Sequence, residues 1–330
     1  MADLSSTFMG LHLANPIILG SSGLSTTKDG VARAIKAGVG AIVLKSLFEE
    51  QLRAELKQAN LDTDAHPEAA AFIEGQGMTE GTSEYLAHIK AAKAAANAAG
   101  SMAPVIASIN GTGDPFWLEF ASMVEGAGAD ALELNLGIVP SNPDLSASEI
   151  EEGLINLVSK VAKTVKIPVC AKLGASYTNI GNVAKRMAKA GIKGLTLFNR
   201  FYRMDIDLDN MSLASGPTRS SPEAYHESLR WISLLEGRVG ADICSSGGVY
   251  DGLAALRLVA AGASAVQLCS AVYTKGFGVI SSTIQEMNSW MDEHGVAKLG
   301  DIRGRLARRN SDKPELYGRL HYVKALTGQG

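Results

Sequence analysis

The most constraining feature of this sequence is a pattern that occurs four times, in which an Ala-Gly pair is followed within a few residues by a short apolar run. The pairs are Ala37-Gly38, Ala127-Gly128, Ala190-Gly191 and Ala261-Gly262. Each pair ends an amphipathic stretch, and glycine directly after a helix end suits the left-handed conformation that is common there. Short helix-to-strand connections are typical of parallel sheets. The pattern therefore predicts repeated units of helix, tight turn and buried strand.

Four further apolar runs bring the number of predicted strands to eight. The eight runs lie at 16–20, in the segment ending at Lys45, and at 104–109, 131–135, 167–173, 194–199, 241–245 and 265–269. The amphipathic stretches predict helices at 27–37, 82–99, 114–127, 147–165, 178–190, 222–236, 250–261 and 276–293. Eight buried strands that alternate with eight helices favour a single (β/α)8 TIM barrel over an open sheet. We expect one α/β domain over 1–330, with a C-terminal tail at 295–330.

Two connections after predicted strands are too long to be plain loops. Residues 49–81 follow the second strand and residues 200–221 follow the sixth. Long connections at the C-terminal ends of barrel strands usually cover an active site. Solvent-facing decoration is the alternative for both segments.

Polar side chains lie at the ends of several apolar strands. An unpaired polar group in an apolar strand is costly, and the C-terminal ends of barrel strands carry the active site in this architecture. The groups are Lys45, Ser46, Ser108, Asn110, Asn135, Lys172 and Asn199. One such lysine could equally be structural. Because all of these groups converge on one rim, they predict a functional site.

A glycine pair, Gly247-Gly248, follows the seventh strand and directly precedes a predicted helix. Two glycines there expose backbone N–H groups to an anion, and the helix dipole adds attraction. The eighth strand ends beside this turn at Ser270. The loops after strands 7 and 8 frequently bind phosphate in such barrels. The expected ligand therefore carries a phosphate.

Together these features resemble the FMN-containing dihydroorotate dehydrogenases over about residues 5–295. The matching segments are Asn15-Pro16, Gly20-Ser21-Ser22, Lys45-Ser46, Glu133-Leu134-Asn135-Leu136, Lys172-Leu173, Asn199, Ser215-Gly216-Pro217, Ser246-Gly247-Gly248-Val249 and the stretch from Ala261-Gly262-Ala263 to Ser270. The resemblance implies FMN as cofactor. It also implies oxidation of dihydroorotate, a step of pyrimidine biosynthesis, or a related reaction at the CH–CH bond of another small acid.

The resemblance also implies a role for individual residues. Gly247, Gly248 and Ser270 would hold the FMN phosphate, and Lys172 would lie near the N1/O2 edge of the flavin ring. Three further residues, Lys45, Asn135 and Asn199, would lie between flavin and substrate. The remaining cofactor contacts would come from Gly20, Ser21, Ser46 and Gly216.

Three departures from the family pattern affect the substrate half of the site. Ile138 stands where the family has a Cys or Ser that removes a proton. The segment 74–81 replaces the family's substrate loop, and Cys269 replaces a glycine before the phosphate-binding hydroxyl. Because isoleucine cannot accept a proton, we expect weak or absent oxidation of dihydroorotate itself.

The base that would replace the missing group is not fixed by the sequence. Ser141 lies three residues further along the same loop and is the leading candidate, although an unassisted serine is a poor base. Tyr177, Tyr202 and Arg203 are further possibilities after strands 5 and 6. Cys170 and Cys244 lie within strands, where we expect them to be buried and inert.

Charge and cysteine content restrict the partners. With 31 basic and 34 acidic residues the chain has a net charge of −3, which gives no reason to expect a nucleic acid or a membrane as partner. Three cysteines without metal-like spacing predict no metal site and no disulfide framework. We expect a cytoplasmic homodimer that binds a small molecule. The basic cluster Arg303, Arg305, Arg308 and Arg309 is interpreted as solvated surface or subunit contact.

Three functions fit these observations. The first is an FMN-dependent oxidoreductase similar to dihydroorotate dehydrogenase. The second is a flavin-binding protein without dehydrogenase activity. The third is a flavin-free lyase that uses Lys172 or Lys45 as a Schiff-base nucleophile, which requires a lysine that readily loses its proton.

Overall fold

A short antiparallel hairpin closes the N-terminal end of the barrel that follows it. The computed structural model describes residues 2–51, 81–111, 114–137, 140–200 and 203–328. Strand β1 (Ser6–Phe8) pairs with β2 (Leu11–Leu13). Phe8, Met9 and Leu13 are buried against residues at the starts of the barrel strands, such as Ala131 and Ala265. The hairpin therefore fills the end of the barrel opposite the predicted site.

The centre of the molecule is a closed parallel barrel. Its eight strands are β3 (Ile17–Leu19), β4 (Ala41–Val43), β6 (Val105–Asn110), β7 (Ala131–Leu136), β8 (Val169–Leu173), β9 (Gly194–Leu197), β12 (Asp242–Ser246) and β13 (Ala265–Leu268). The order β4-β3-β13-β12-β9-β8-β7-β6 closes on itself because β6 pairs with β4, Val105 opposite Ile42. A two-residue strand, β5 (Leu47–Phe48), also pairs with β6. The predicted (β/α)8 barrel is confirmed.

Helices are found at the eight predicted positions, and two more, Ser270–Lys275 and Tyr317–Thr327, were not predicted. They are α1 (Lys28–Lys36), α2 (Thr82–Ala98), α3 (Asp114–Gly126), α4 (Ala147–Thr164), α5 (Ile180–Ala190), α6 (Tyr225–Leu235), α7 (Gly252–Ala261), α8 (Ser270–Lys275), α9 (Gly278–Glu293) and α10 (Tyr317–Thr327). Side-chain oxygens of Thr27, Ser146, Asn179 and Asp251 accept hydrogen bonds from the first turns of α1, α4, α5 and α7. Such caps satisfy N–H groups that have no partner within the helix.

The four Ala-Gly pairs mark helix ends, as the repeat predicts. Gly38, Gly128, Gly191 and Gly262 all have positive φ angles, between 85° and 127°. A β-carbon at Gly262 would also lie 2.1 Å from Cγ of Glu236. Glycine is required there both by the backbone conformation and by close packing.

The segment 200–221 is more regular than a loop. It contains the antiparallel hairpin β10 (Met204–Asp207) and β11 (Ser212–Ser215), in which Ile206 is opposite Leu213. The alternation Met-Asp-Ile-Asp has the period of a strand, and the run is too short to stand out among turn residues. Most of the other long connection, residues 52–80, lies outside the described residues.

Candidate active site

A cavity of about 820 Å³ opens at the C-terminal end of the barrel. This volume is in the range of sites for small molecules and cofactors. Its walls come from the ends of five barrel strands and from the β10–β11 hairpin. Eight of the residues predicted from the sequence line it: Gly20, Ser21, Lys172, Asn199, Gly216, Gly247, Gly248 and Ser270. The hairpin contributes Met204 and Leu213, so the segment after the sixth strand does cover the site.

The part of the cavity around Gly247 and Gly248 is a candidate anion receptor. Gly247 and Gly248 have φ angles of +97° and +74°, and a β-carbon at Gly248 would lie 2.3 Å from the backbone N of Tyr225. The N–H of Gly248 donates to Oγ of Ser220 at 3.2 Å. Oγ of Ser270 accepts the N–H of Ser220 at 3.0 Å. Ser220 thus joins the Gly248 turn to Ser270, and these groups lie together beside a strand-to-helix turn, where proteins commonly bind phosphate.

Ser220 also lines this part of the cavity and was not predicted from the sequence. It lies in the connection before α6, is 6% exposed, and its carbonyl accepts a hydrogen bond from the Tyr250 hydroxyl at 2.7 Å. No motif marks it, because its place in the receptor depends on a connection that folds back onto the ends of two strands.

Two residues that line the cavity, Lys172 and Gln267, belong to a buried polar cluster. We call it the barrel-centre cluster: Glu133, Lys172, Thr196 and Gln267. Lys172 Nζ donates to Gln267 Oε1 at 2.8 Å and lies 3.6 Å from Glu133 Oε1. Glu133 Oε2 accepts from Gln267 Nε2 at 2.8 Å and from Thr196 Oγ1 at 2.9 Å. All four side chains are buried. Only Lys172 among them was predicted as a site residue.

A chain of polar groups, the rim chain, joins the remaining predicted residues: Ser21, Ser46, Ser108, Asn135 and Asn199. Ser46 Oγ lies 3.2 Å from Ser21 Oγ and 2.8 Å from Ser108 Oγ. Asn135 Nδ2 donates to Ser46 Oγ at 3.5 Å, and Asn199 Nδ2 donates to Asn135 Oδ1 at 2.7 Å. Ser46 and Asn135 do not line the cavity themselves, but the rim chain connects them to Ser21 and Asn199, which do.

Lys45 is placed at the side of this arrangement. It does not line the cavity, and its Nζ lies 4.8 Å from the centre of the Phe48 ring. A cation over an aromatic face is electrostatically favourable.

The candidate bases differ in their surroundings. Ser141 is exposed and does not line the cavity, whereas Arg203 lines it. Burial, with a smaller contribution from Glu151, raises the pKa of Tyr177 to about 12, so its phenol stays protonated at neutral pH and is a poor base. Ile138 and Tyr202 lie outside the described residues.

The strand cysteines are not candidates for the chemistry. Cys170 and Cys244 are fully buried in the barrel. Burial raises the pKa of both thiols, and the nearby Glu133 carboxylate adds to the effect. Neither thiol therefore forms the reactive thiolate at neutral pH.

The geometry fits a phosphorylated flavin. The candidate anion receptor and the buried Lys172 side chain line the same cavity. The family model for dihydroorotate dehydrogenase matches residues 3–291.

The chain belongs to the dihydroorotate dehydrogenase family. The cofactor of this family is FMN, and the chain is an FMN-dependent oxidoreductase of the kind that acts on CH–CH bonds. The matched region contains the whole barrel and ends within α9, so α10 lies beyond it.

Curated relatives support this family. A protein of Aeropyrum pernix provisionally named dihydroorotate dehydrogenase A (fumarate) is 31% identical over 92% of this chain and 97% of its own length. The catalytic subunit of dihydroorotate dehydrogenase B (NAD(+)) of Thermoplasma acidophilum is 27% identical over 92% and 99%. The chloroplastic dihydropyrimidine dehydrogenase (NADP(+)) of Arabidopsis thaliana is 25% identical over 92% of this chain and 76% of its own.

Membrane-spanning helices and clusters of metal ligands are both absent from the described residues. None of the helices in that part of the chain is long and apolar enough to cross a membrane. No group of three or more His, Cys, Asp or Glu side chains in the same residues is arranged to hold a metal ion.

Proposed function

We propose that this member of the dihydroorotate dehydrogenase family oxidises a CH–CH bond of dihydroorotate or a closely related small acid, with dihydroorotate itself turned over slowly. The observation that carries this proposal is the single cavity that joins the Gly247-Gly248 turn to Lys172. FMN, when bound, accepts the hydride that leaves the substrate. In this arrangement the phosphate would be held by Gly247, Gly248 and Ser270. Ser220 would orient the Gly248 N–H and the Ser270 hydroxyl, because it forms a hydrogen bond with each.

Lys172 supplies positive charge at the end of the cavity opposite the phosphate receptor. It is 7% exposed, so water screens it little. A preorganised charge that faces developing negative charge stabilises a transition state without reorganisation. We assign to Lys172 the stabilisation of negative charge near the N1/O2 edge of the flavin.

The rim chain and Lys45 would position the substrate. Asn135 and Asn199 are already fixed to one another through a 2.7 Å hydrogen bond, and Ser46 anchors Asn135 from the side. Such fixed amides can orient a small polar acid at little entropic cost. The residues that line the cavity beside the cofactor also include Gly20, Ser21 and Gly216. Ser141 is our candidate to take up the proton, through a rearrangement of its exposed loop.

The barrel-centre cluster argues against the Schiff-base lyase. A nucleophilic lysine must lose its proton. Lys172 Nζ instead donates to Gln267 and lies 3.6 Å from Glu133, so both contacts occupy the nitrogen that a nucleophile would need free.

We further propose one FMN-binding domain over 1–330 that acts in the cytoplasm as a homodimer. The three cysteines are free thiols, which suits a reducing compartment. Helix α10 has no buried residue and exposes Leu320, Val323 and Leu326. A helix in a globular protein owes most of its stability to packing of an apolar face. The basic residues of 301–330, seven against three acidic ones, would favour contact with the acidic remainder of a second copy.

The homodimer is tested by sedimentation of the full chain. Leu320→Asp, in the exposed helix α10, should shift the protein from dimer to monomer, whereas Leu145→Asp, at an exposed leucine outside residues 301–330, should leave it dimeric. A monomeric wild-type chain at micromolar concentration would refute the proposal.

The enzymatic proposal is tested with FMN-loaded protein under anaerobic conditions. Dihydroorotate and a set of small dihydropyrimidine acids are mixed with the protein, and the flavin absorbance is followed over time. We expect at least one of them to bleach the flavin, with dihydroorotate slow. If none bleaches it, the chain is a flavin-binding protein without this dehydrogenase activity.

A further inference from the structure

Glu133 is an ionisable side chain in an unusual place. It lies on β7 inside the barrel, 1% exposed, between apolar neighbours on its own strand. A buried carboxylate is costly unless it is paired and hydrogen-bonded. Neighbouring residues on β8, β9 and β13 supply those contacts, so four strands contribute to one polar group at the centre of the barrel.

The hydrogen-bond contacts of Glu133 suit a carboxylate. Both groups that contact Oε2, the Gln267 amide and the Thr196 hydroxyl, donate to it. An ionised carboxylate is purely an acceptor, which matches two donors and a neighbouring ammonium. Oε1 is buried without a hydrogen bond and lies 3.6 Å from Lys172 Nζ. The free oxygen therefore interacts with Lys172 through charge alone.

Gln267 links the two charges in a fixed direction. Its Oε1 accepts from Lys172 at 2.8 Å, and its Nε2 donates to Glu133 at 2.8 Å. A reversed amide would place its oxygen against the carboxylate and its NH₂ against the ammonium. The Gln267 bridge therefore fixes the position of Lys172 Nζ relative to Glu133. It also keeps the negative charge on the side of Lys172 that faces the barrel centre.

We propose that Glu133 is a positioning residue that tunes the redox potential of bound FMN by partly cancelling the charge of Lys172. This inference rests on the proposed function, in which Lys172 faces the flavin. A positive charge beside the flavin favours the reduced cofactor, since reduction brings negative charge to that edge. A carboxylate 3.6 Å behind the ammonium, in a site that excludes water, opposes this effect.

The test is the midpoint potential of bound FMN, measured by equilibration with a reference dye. Glu133→Gln keeps the size of the side chain and removes its charge. We expect the ratio of affinities for reduced and oxidised FMN to rise at least tenfold, which for a two-electron couple is a positive shift of about 30 mV. Thr196→Val is the matched control, because it removes a neutral hydrogen bond to the same carboxylate and keeps both charges. Its shift should be much smaller.

A double-mutant cycle shows whether the effect passes through Lys172. In a Lys172→Met background, Glu133→Gln should shift the potential far less than it does in the wild type. An equal shift in both backgrounds, or a negative or absent shift in the single variant, would overturn the inference. Should Glu133→Gln not fold, Glu133→Asp is the alternative. Its side chain is one methylene shorter, which moves the carboxylate away from Lys172 Nζ, so the potential should shift in the same direction by a smaller amount. The absence of that shift would be equally decisive.

The proposed function fails separately from this inference. If desalted wild-type protein retains no FMN, the cofactor assignment is wrong and no potential is measured. If the wild type retains FMN and the potentials do not move, only the role of Glu133 is wrong.

Discussion

The two halves of the site are built from different kinds of structure. The phosphate end and the barrel-centre cluster lie on strand ends and on the turns directly after them, where parallel pairing fixes each residue. The substrate side that the sequence predicts lies instead on connections, the one at 49–81 and the exposed segment at 140–148. Strand ends in a closed barrel cannot move independently, whereas loops tolerate replacement.

This difference explains why the family resemblance is uneven. The segments that match the family supply Lys172, Gly247 and Gly248, while the departures at Ile138 and 74–81 lie in connections. A barrel can therefore keep its cofactor geometry while its substrate loops diverge. Changes on the loop side should alter substrate turnover, and changes on the strand side should alter cofactor binding or its reactivity.

The largest effect is expected on the loop side. Ile138→Cys restores a group that can accept a proton, and general base catalysis contributes about 10²–10⁴-fold. The rate at which dihydroorotate reduces the bound flavin, measured by stopped flow, should rise by that factor, while the affinity for FMN stays constant. Ile138→Val, of similar shape and without a thiol, is the control. If the cysteine variant is no faster, the rewritten 74–81 segment limits the reaction instead.

The next effect is on the strand side, at Lys172. Loss of a preorganised charge in a dry site costs about 2.7–4 kcal/mol, or roughly 10²–10³ in rate. Lys172→Met, which keeps much of the stem, should slow flavin reduction by that amount with any substrate that bleaches the wild type. FMN retention after desalting should be nearly unchanged. If the flavin is lost together with the fold, Lys172 is structural.

The glycine pair offers a matched comparison within the phosphate receptor. Alanine at either position is strained by a positive φ, at a cost of about 1–3 kcal/mol. At Gly248 the added β-carbon also meets Tyr225 N at 2.3 Å, whereas nothing lies within 4 Å at Gly247. Gly248→Ala should therefore lose more stability and more FMN affinity than Gly247→Ala, as judged by thermal unfolding and flavin titration. Equal losses would contradict the described packing.

Local patterns were enough to predict the barrel and part of the site. The Ala-Gly repeat and the apolar runs placed the eight strands, and the glycine pair predicted two residues that line the cavity, because each signal lies within a few adjacent residues. Glu133, Thr196 and Gln267 were missed because their meaning depends on register between strands far apart in the chain. The sequence signal that could have predicted them is a polar residue within each of three apolar strands. No comparable sequence signal marks Ser220 or the N-terminal hairpin.

The smallest effect concerns Ser220. Its hydroxyl holds Ser270 Oγ and the Gly248 N–H in place, and one hydrogen bond contributes about 0.5–1.5 kcal/mol. Ser220→Ala should weaken FMN binding by roughly 2- to 12-fold and leave the rate of flavin reduction at saturation unchanged. Ser221→Ala, at the adjacent exposed position, is the control. An unchanged affinity of Ser220→Ala for FMN would show that Ser220 does not contribute to phosphate binding.

The most direct test of the account is the affinity of the protein for FMN compared with riboflavin, which lacks the phosphate. Hydrogen bonds to a charged group contribute about 1.5–3 kcal/mol each, so two of them predict a preference for FMN of at least about 10²-fold. Fluorescence titration should show this preference in the wild type and a large reduction of it in Gly248→Ala. Equal affinity for the two flavins in the wild-type protein would contradict a phosphate receptor at Gly247, Gly248 and Ser270, and with it the placement of the cofactor.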